Sequence, residues 1–170
     1  GGWKAHAGFT GAWDPIKVVG AVSADDTGYW DALGSVAATF DMFTLAASGE
    51  ALSDGSWGVG GSAKATVTDG VTLNLGGRFF HGTGVNEGAI PAYDVYQVEA
   101  AVSAAVTETI TLTGAVGATD STRVTNKGLV FYGSAGLAWA PGGGFTSGAS
   151  ISANSLGGYK AVFTAAKDIK

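Results

Sequence analysis

From Trp3 to Phe163 the apolar residues recur at every second position, in short segments cut off by turn residues. A period of two places alternate side chains on opposite faces of an extended strand, whereas a helix needs a period near 3.6. No sustained i, i+3, i+4 stripe follows any capping residue. The best helical competitor is the alanine-rich stretch Val98 to Val106, and it still alternates. Tyr96, Val98, Ala100, Val102, Ala104 and Val106 stand against Gln97, Glu99 and Ser103. The punctuation is just as regular. Asp14-Pro15, Asp25-Asp26-Thr27-Gly28, Asp41, Ser53-Asp54-Gly55, Thr68-Asp69-Gly70 and Ala140-Pro141-Gly142-Gly143-Gly144 all read as turns. All three prolines fall between the apolar segments, because proline cannot donate to a sheet ladder.

This pattern predicts strands over roughly 2–13, 16–24, 29–40, 43–52, 57–67, 71–80, 94–106, 109–118, 129–139, 145–153 and 159–167. The connections near 14, 41, 69, 107 and 141 are short, and those at the other end include two longer loops, His81 to Tyr93 and Thr119 to Gly128. Short turns at one end and longer loops at the other predict an all-β fold, an antiparallel up-and-down transmembrane β-barrel wall occupying 1–170 as a single unit.

Composition removes several function classes. The 170 residues contain no cysteine and only two histidines, so a structural zinc site, a disulfide framework and a thiol nucleophile are excluded. The net charge of −5, with nine basic residues, argues against nucleic acid as a partner. Hydrophobic residues make up 46% and charged residues 14%, which is incompatible with disorder. No apolar run reaches the ~18 residues of a membrane-spanning helix, a test to which strand-built spans are blind.

Splitting each strand by parity gives two unlike faces. One carries Phe9, Ile16, Val18, Val36, Phe40, Phe43, Leu45, Val59, Leu73, Leu75, Phe79, Tyr96, Val98, Val102, Leu112, Val116, Phe131, Leu137, Ile151 and Phe163. The other carries Lys4, Lys17, Asp31, Glu50, Lys64, Asn74, Arg78, Glu99 and Lys160, with His6, Gln97 and many small residues. The sequence expectation is that this second set lines a water-filled pore. Its five basic and three acidic residues contrast with four basic and eleven acidic in turns, loops and tail. Facing charges of both signs would favour small hydrated solutes. The five tryptophans, Trp3, Trp13, Trp30, Trp57 and Trp139, fall at predicted strand ends, where an interfacial aromatic girdle belongs. The alternative is a soluble or extracellular β-sandwich serving as a binding or structural module, with the apolar faces meeting in a dry core. The polar face is poor in charge for a water-facing sheet, and the middle of the apolar face is rich in Ala and Gly, which packs a core poorly. Both favour the membrane.

The segments Phe43-Thr-Leu-Ala-Ala-Ser-Gly-Glu-Ala-Leu-Ser-Asp-Gly and Trp57-Gly-Val-Gly-Gly-Ser-Ala-Lys resemble hairpins of alphaproteobacterial outer-membrane porins. The closing Tyr159-Lys-Ala-Val-Phe-Thr-Ala-Ala-Lys-Asp-Ile resembles the last strand of the same family. The resemblance implies a general diffusion porin: a homotrimer of roughly sixteen-stranded barrels in the outer-membrane lipid of a bacterial cell. It would pass small hydrophilic solutes and ions without a cofactor or enzymatic activity, and this chain would be its C-terminal part. The chain departs from the family in ending Asp168-Ile169-Lys170 rather than on an aromatic residue, and an odd strand count implies that the wall is incomplete.

Weaker motifs have blander accounts. Gly58-Val-Gly60-Gly-Ser-Ala63 fits the loose dinucleotide fingerprint, but no helix follows it, and glycines on a wall explain it better. His81, Glu87 and Asp94 share a predicted loop, which suggests either an acid–base pair or simple solvation. Asp25-Asp26, Asp120 and the Glu87/Asp94 pair are scattered carboxylates without the converging oxygens that calcium requires.

Overall fold

The computed structural model describes residues 2–83, 94–121 and 128–168. Each predicted segment is a strand: β1 Lys4–Trp13, β2 Ile16–Asp25, β3 Trp30–Phe40, β4 Phe43–Leu52, β5 Trp57–Thr68, β6 Val71–His81, β7 Asp94–Ala105, β8 Ile110–Ser121, β9 Val130–Gly142, β10 Phe145–Asn154 and β11 Tyr159–Lys167. Every strand pairs antiparallel with its sequence neighbours, giving one eleven-stranded sheet in the order β1 to β11. Among the described residues there is no second sheet for it to pack against, so the sandwich alternative lacks its other layer. Strands of 9–13 residues match the length needed to cross a bilayer at a tilt.

Local chemistry sets the two rims. At one end the links are short: Asp14-Pro15, Asp41-Met42, Asp69-Gly70 and Gly143-Gly144. Asp41 at φ 50° and Gly70 at φ 77° provide the left-handed positions such tight links need. At the other end one device recurs. The side-chain oxygens of Asp25, Asp54 and Asn154 accept from the backbone N–H two residues on, at 2.9, 2.8 and 3.0 Å.

Two expected loops are shorter than the sequence suggests. β6 runs through His81, which pairs with Asp94, and β8 continues past Ala118 so that Asp120 pairs with Tyr96. The ladder extends here because backbone pairing continues wherever a partner strand lies opposite, whatever the side chains carry. His81, Asp94 and Asp120 therefore sit on strand ends. Glu87 lies outside the described residues.

The register puts the apolar set on one face throughout. Phe40 faces Phe43, Ala63 faces Leu75, Leu73 faces Val102 and Leu112 faces Leu137. This face has no protein partner. Phe9 is 64% exposed, Leu75 60%, Val116 67% and Phe163 75%, and Ala118 is the sole buried hydrophobic residue among those described. On β7 the polar side is the more shielded one: Val95, Gln97, Glu99, Ala101 and Ser103 are half-buried, while Tyr96, Val98, Ala100 and Val102 are exposed. A water-soluble sheet buries the opposite face. Leaving one large aliphatic or aromatic side chain in water forgoes about 1.5–3 kcal/mol, so a whole face of them requires an apolar surrounding.

The chain has no native cysteine, so single cysteines over 71–80 report cleanly on each face. In reconstituted protein the odd positions, including Leu73 and Leu75, should take a lipid-dissolved thiol reagent. The even positions, including Asn74 and Arg78, should take an aqueous one. Odd positions protected from both reagents would restore the sandwich.

Candidate functional site

The polar face is built of cross-strand rows. One runs Leu33–Glu50–Gly58–Phe80–Val95, the next Ser35–Ser48–Gly60–Arg78–Gln97–Thr119, and the next Ala37–Ala46–Ser62–Gly76–Glu99–Gly117–Tyr132. A fourth runs Thr39–Thr44–Lys64–Asn74–Ala101–Ala115–Ser134–Ser152–Lys160. The rows place Arg78 and Glu99 on the adjacent strands β6 and β7 and Glu50 one strand further off on β4, with Lys64 beside Asn74 below them. Lys4, Lys17 and Asp31 share the face but lie on β1 to β3, where Lys4 opposes Asp25 and Asp31 accepts from the Ser23 hydroxyl at 3.0 Å. Lys160 is far away on β11: six strands at about 4.8 Å each separate it from Lys64.

Two recesses meet at Arg78. One, about 360 Å³, is floored by Gly60 and Gly76 and edged by Ser48, Arg78, Gln97 and Glu99. The other, about 600 Å³, adds Leu33, Glu50, Gly58 and Phe80. A larger hollow of about 670 Å³ opens over the small residues Ala63, Ala65 and Gly114 and is framed by Phe43, Leu73, Leu75 and Val102, all apolar-face positions. It lacks the facing charges that distinguish the two recesses.

Sequence reasoning missed how this face is tied together. Arg78 Nε donates to Gln97 Oε1 at 2.9 Å, and Gln97 Nε2 donates to the Tyr132 hydroxyl at 2.7 Å. Tyr132 reaches two strands across because Gly117 opposes it in register and leaves its ring room to lie flat. Glu50 folds over Gly58 in the same way, beside Phe80. The available signal was the glycine directly opposite a large side chain. It can be read only once the register is known.

The tryptophans mark both rims of the apolar face. Trp3 precedes β1, Trp30 opens β3 and Trp57 opens β5 at the long-loop end. Trp13 closes β1 at the other end, where Trp139 opposes Ile110, the first residue of β8. Other rings join them. Trp57 meets Phe79 at 5.0 Å, Phe79 meets Tyr96 at 4.8 Å, and Trp139 meets Phe145 at 5.7 Å.

Four titratable residues at the rims do not share the polar face. His81, Asp94 and Asp120 have apolar-face parity at the long-loop end, and Lys167 has it at the other. These positions sit at the level of the aromatic rings, where polar tips reach water. His81 Nδ1 lies 2.6 Å from Asp94 Oδ1 and its ring 6.2 Å from Trp57. The pair is thus on the opposite side of the wall from Arg78 and Glu99. At the same rim, burial and then the carboxylates of Asp31 and Asp54 push the Tyr29 hydroxyl above its ordinary pKa. Among the described residues no cluster of three metal-ligating side chains occurs.

Gly117 and Gly114 on β8 provide a matched test of the packing. A Cβ on Gly117 would collide with the Tyr132 ring and stand 2.7 Å from the Val98 carbonyl oxygen, whereas on Gly114 it would meet Val102 at an ordinary 3.6 Å. Gly117→Ala should cost about 1–3 kcal/mol in a urea titration of the reconstituted protein. Gly114→Ala should be neutral or slightly stabilising. Equal effects would remove the special fit at 117.

No known family model matches the chain, and no curated protein sequence matches it. Solved structures do. A porin superposes with a TM-score of 0.73 at 17% identity, over 92% of this chain and 58% of its own. The NanC porin gives 0.56 at 10% identity, covering 89% and 80% respectively. The KdgM porin, also solved with disordered oligogalacturonate, gives 0.54 at 10% identity, covering 98% and 92%. This chain therefore spans less than two thirds of the first porin's length, and its strands have the fold of a porin wall.

Proposed function

We propose that the chain forms part of an outer-membrane porin that passes small hydrophilic solutes and ions down their gradients. The observation that carries this reading is the sidedness of the sheet. Its apolar face is open and unpartnered, while the charged side chains of its strand interiors share the opposite face. Only a wall with lipid outside and water inside satisfies both. In this reading Lys4, Lys17, Asp31, Glu50, Lys64, Asn74, Arg78, Glu99 and Lys160 line the aqueous side. The five tryptophans, joined by Phe79, Tyr96 and Phe145, hold the wall at the two lipid–water boundaries.

β1 and β11 each have one neighbouring strand, so each leaves an open edge. An unpaired backbone edge is costly in lipid. We read the 170 residues as one section, the C-terminal one, of a larger barrel that closes on these edges and assembles as a homotrimer. The mixed charges on the polar face suit general diffusion better than a pathway for a single ion type. Transport needs no cofactor here, and the His81–Asp94 pair, on the lipid side, does not make the protein an enzyme.

Reconstituted full-length protein should show weakly selective conductance in a planar bilayer under a salt gradient. Replacing both Lys64 and Arg78 with glutamate lowers the charge of the polar face by four and should move the reversal potential toward cation preference. Conductance at the lipid baseline would refute the channel. A double variant that conducts with the parent's reversal potential would remove these two residues from its wall.

A further inference from the structure

We infer that Arg78 and Glu99 form a subsite for small zwitterionic solutes bearing a carboxylate and an ammonium group, with Gln97 and Tyr132 as positioning residues. The inference rests on the reading of the polar face as a pore wall and adds to it a class of solute.

The geometry begins with the guanidinium. It has five N–H donors and no acceptor, and its Nε hydrogen goes to Gln97 Oε1 at 2.9 Å. That bond fixes the amide: with its oxygen taken by arginine, the nitrogen must point away, and it donates to Tyr132 Oη at 2.7 Å. A chain from β6 to β9 therefore restrains one edge of Arg78 and leaves the four Nη hydrogens for another acceptor. A planar fork of this kind matches a carboxylate, which takes two parallel hydrogen bonds from it. The Tyr132 hydroxyl, already accepting, keeps its own proton to donate.

Glu99 stands opposite Gly76 in register and so lies diagonal to Arg78, at the edge of the same recess of about 360 Å³. Diagonal cross-strand positions are about 7–8 Å apart at the backbone, so the two long side chains can approach the opposite ends of an α-amino acid lying between them, and they do not close on each other as an ion pair. Gly76 lies opposite Glu99 and Gly60 on the far side of Arg78, so bare backbone on both strands leaves space for a small solute to lie against the wall. A lone anion would meet repulsion from Glu99 and from Glu50 on the other side of Arg78. A lone cation would meet it from Arg78, and an uncharged solute gains only ordinary hydrogen bonds, without charge attraction at either end. A dipolar ion satisfies both at once.

The test compares L-alanine with lactamide, an uncharged solute of similar size, in liposomes containing the full-length protein. Alanine flux should saturate with concentration, while lactamide flux should rise in proportion. Arg78→Gln and Glu99→Gln should each lower the alanine-to-lactamide flux ratio about two- to tenfold, the net effect of one ordinary hydrogen bond. Tyr132→Phe keeps the ring and removes the acceptor for Gln97. It should raise the half-saturating alanine concentration more than it lowers the maximal rate, which general damage to the wall would not do. Alanine flux that stays proportional like that of lactamide overturns the subsite, as does a parental flux ratio in either charge variant. An unchanged half-saturation in Tyr132→Phe overturns the positioning role alone. No flux of either solute overturns the pore reading and the subsite with it.

Discussion

A single sheet whose apolar face has no protein against it governs everything else in this molecule. Soluble folds solve that problem by adding a layer, and a two-layer core is what makes most domains stable. Here the order β1 to β11 adds none, and the exposed Phe9, Leu75, Val116 and Phe163 show that the face stays open. The remaining solvent for such a face is hydrocarbon. Once that is granted, the rest follows from backbone chemistry. Hydrocarbon offers no hydrogen bonds, so each strand must satisfy its N–H and C=O groups through its neighbours, and the charges must crowd onto the face that keeps its water. Aromatic rings collect at the two rims because indole and phenol tolerate the boundary between the two solvents.

The strands were legible in the sequence for two reasons that reinforce each other. Period-two alternation fixed the faces, and Asp, Gly and Pro clusters fixed the ends. Even the alanine-rich segment now seen as β7 declared itself through the alternation of Tyr96, Val98 and Val102 with Gln97 and Glu99. What failed was the assumption that polarity ends a strand. His81 and Asp120 read as loop residues, yet the ladder includes them, because at the rim a polar side chain on the apolar face can reach water while its backbone stays paired.

The polar face was legible as a face and illegible as a site. Parity assigns Lys4, Arg78 and Lys160 to one side without saying that Arg78 shares its two recesses with Glu99 and Glu50. That knowledge requires the register, which depends on turn lengths and bulges such as the one between Thr66 and Thr68. Gln97 and Tyr132 are the sharper case. They are 35 residues apart in sequence, and their hydrogen bond passes over an intervening strand.

That passage explains much of the glycine content. A turn accounts for a glycine only where φ is positive, and most strand glycines lie elsewhere. Several of them sit beneath the side chain of another residue, among them Gly11 under Trp13, Gly20 under Phe9, Gly58 under Glu50, Gly117 under Tyr132 and Gly136 under Thr113. All but the first are direct cross-strand pairs, and in Phe9 over Gly20 and Tyr132 over Gly117 an aromatic ring covers the bare backbone that a glycine leaves. On the apolar face this smooths a surface that meets fluid chains. On the polar face it does something different, since it lets a long side chain lie along the wall rather than stand out into the passage. A wall of glycine and serine with a few reclining polar side chains can therefore hold Arg78, Gln97 and Tyr132 in fixed register and still leave open recesses beside them. The low charge content and the high glycine content are thus one property: the wall spends few charged side chains because glycine lets its neighbours place each of them accurately.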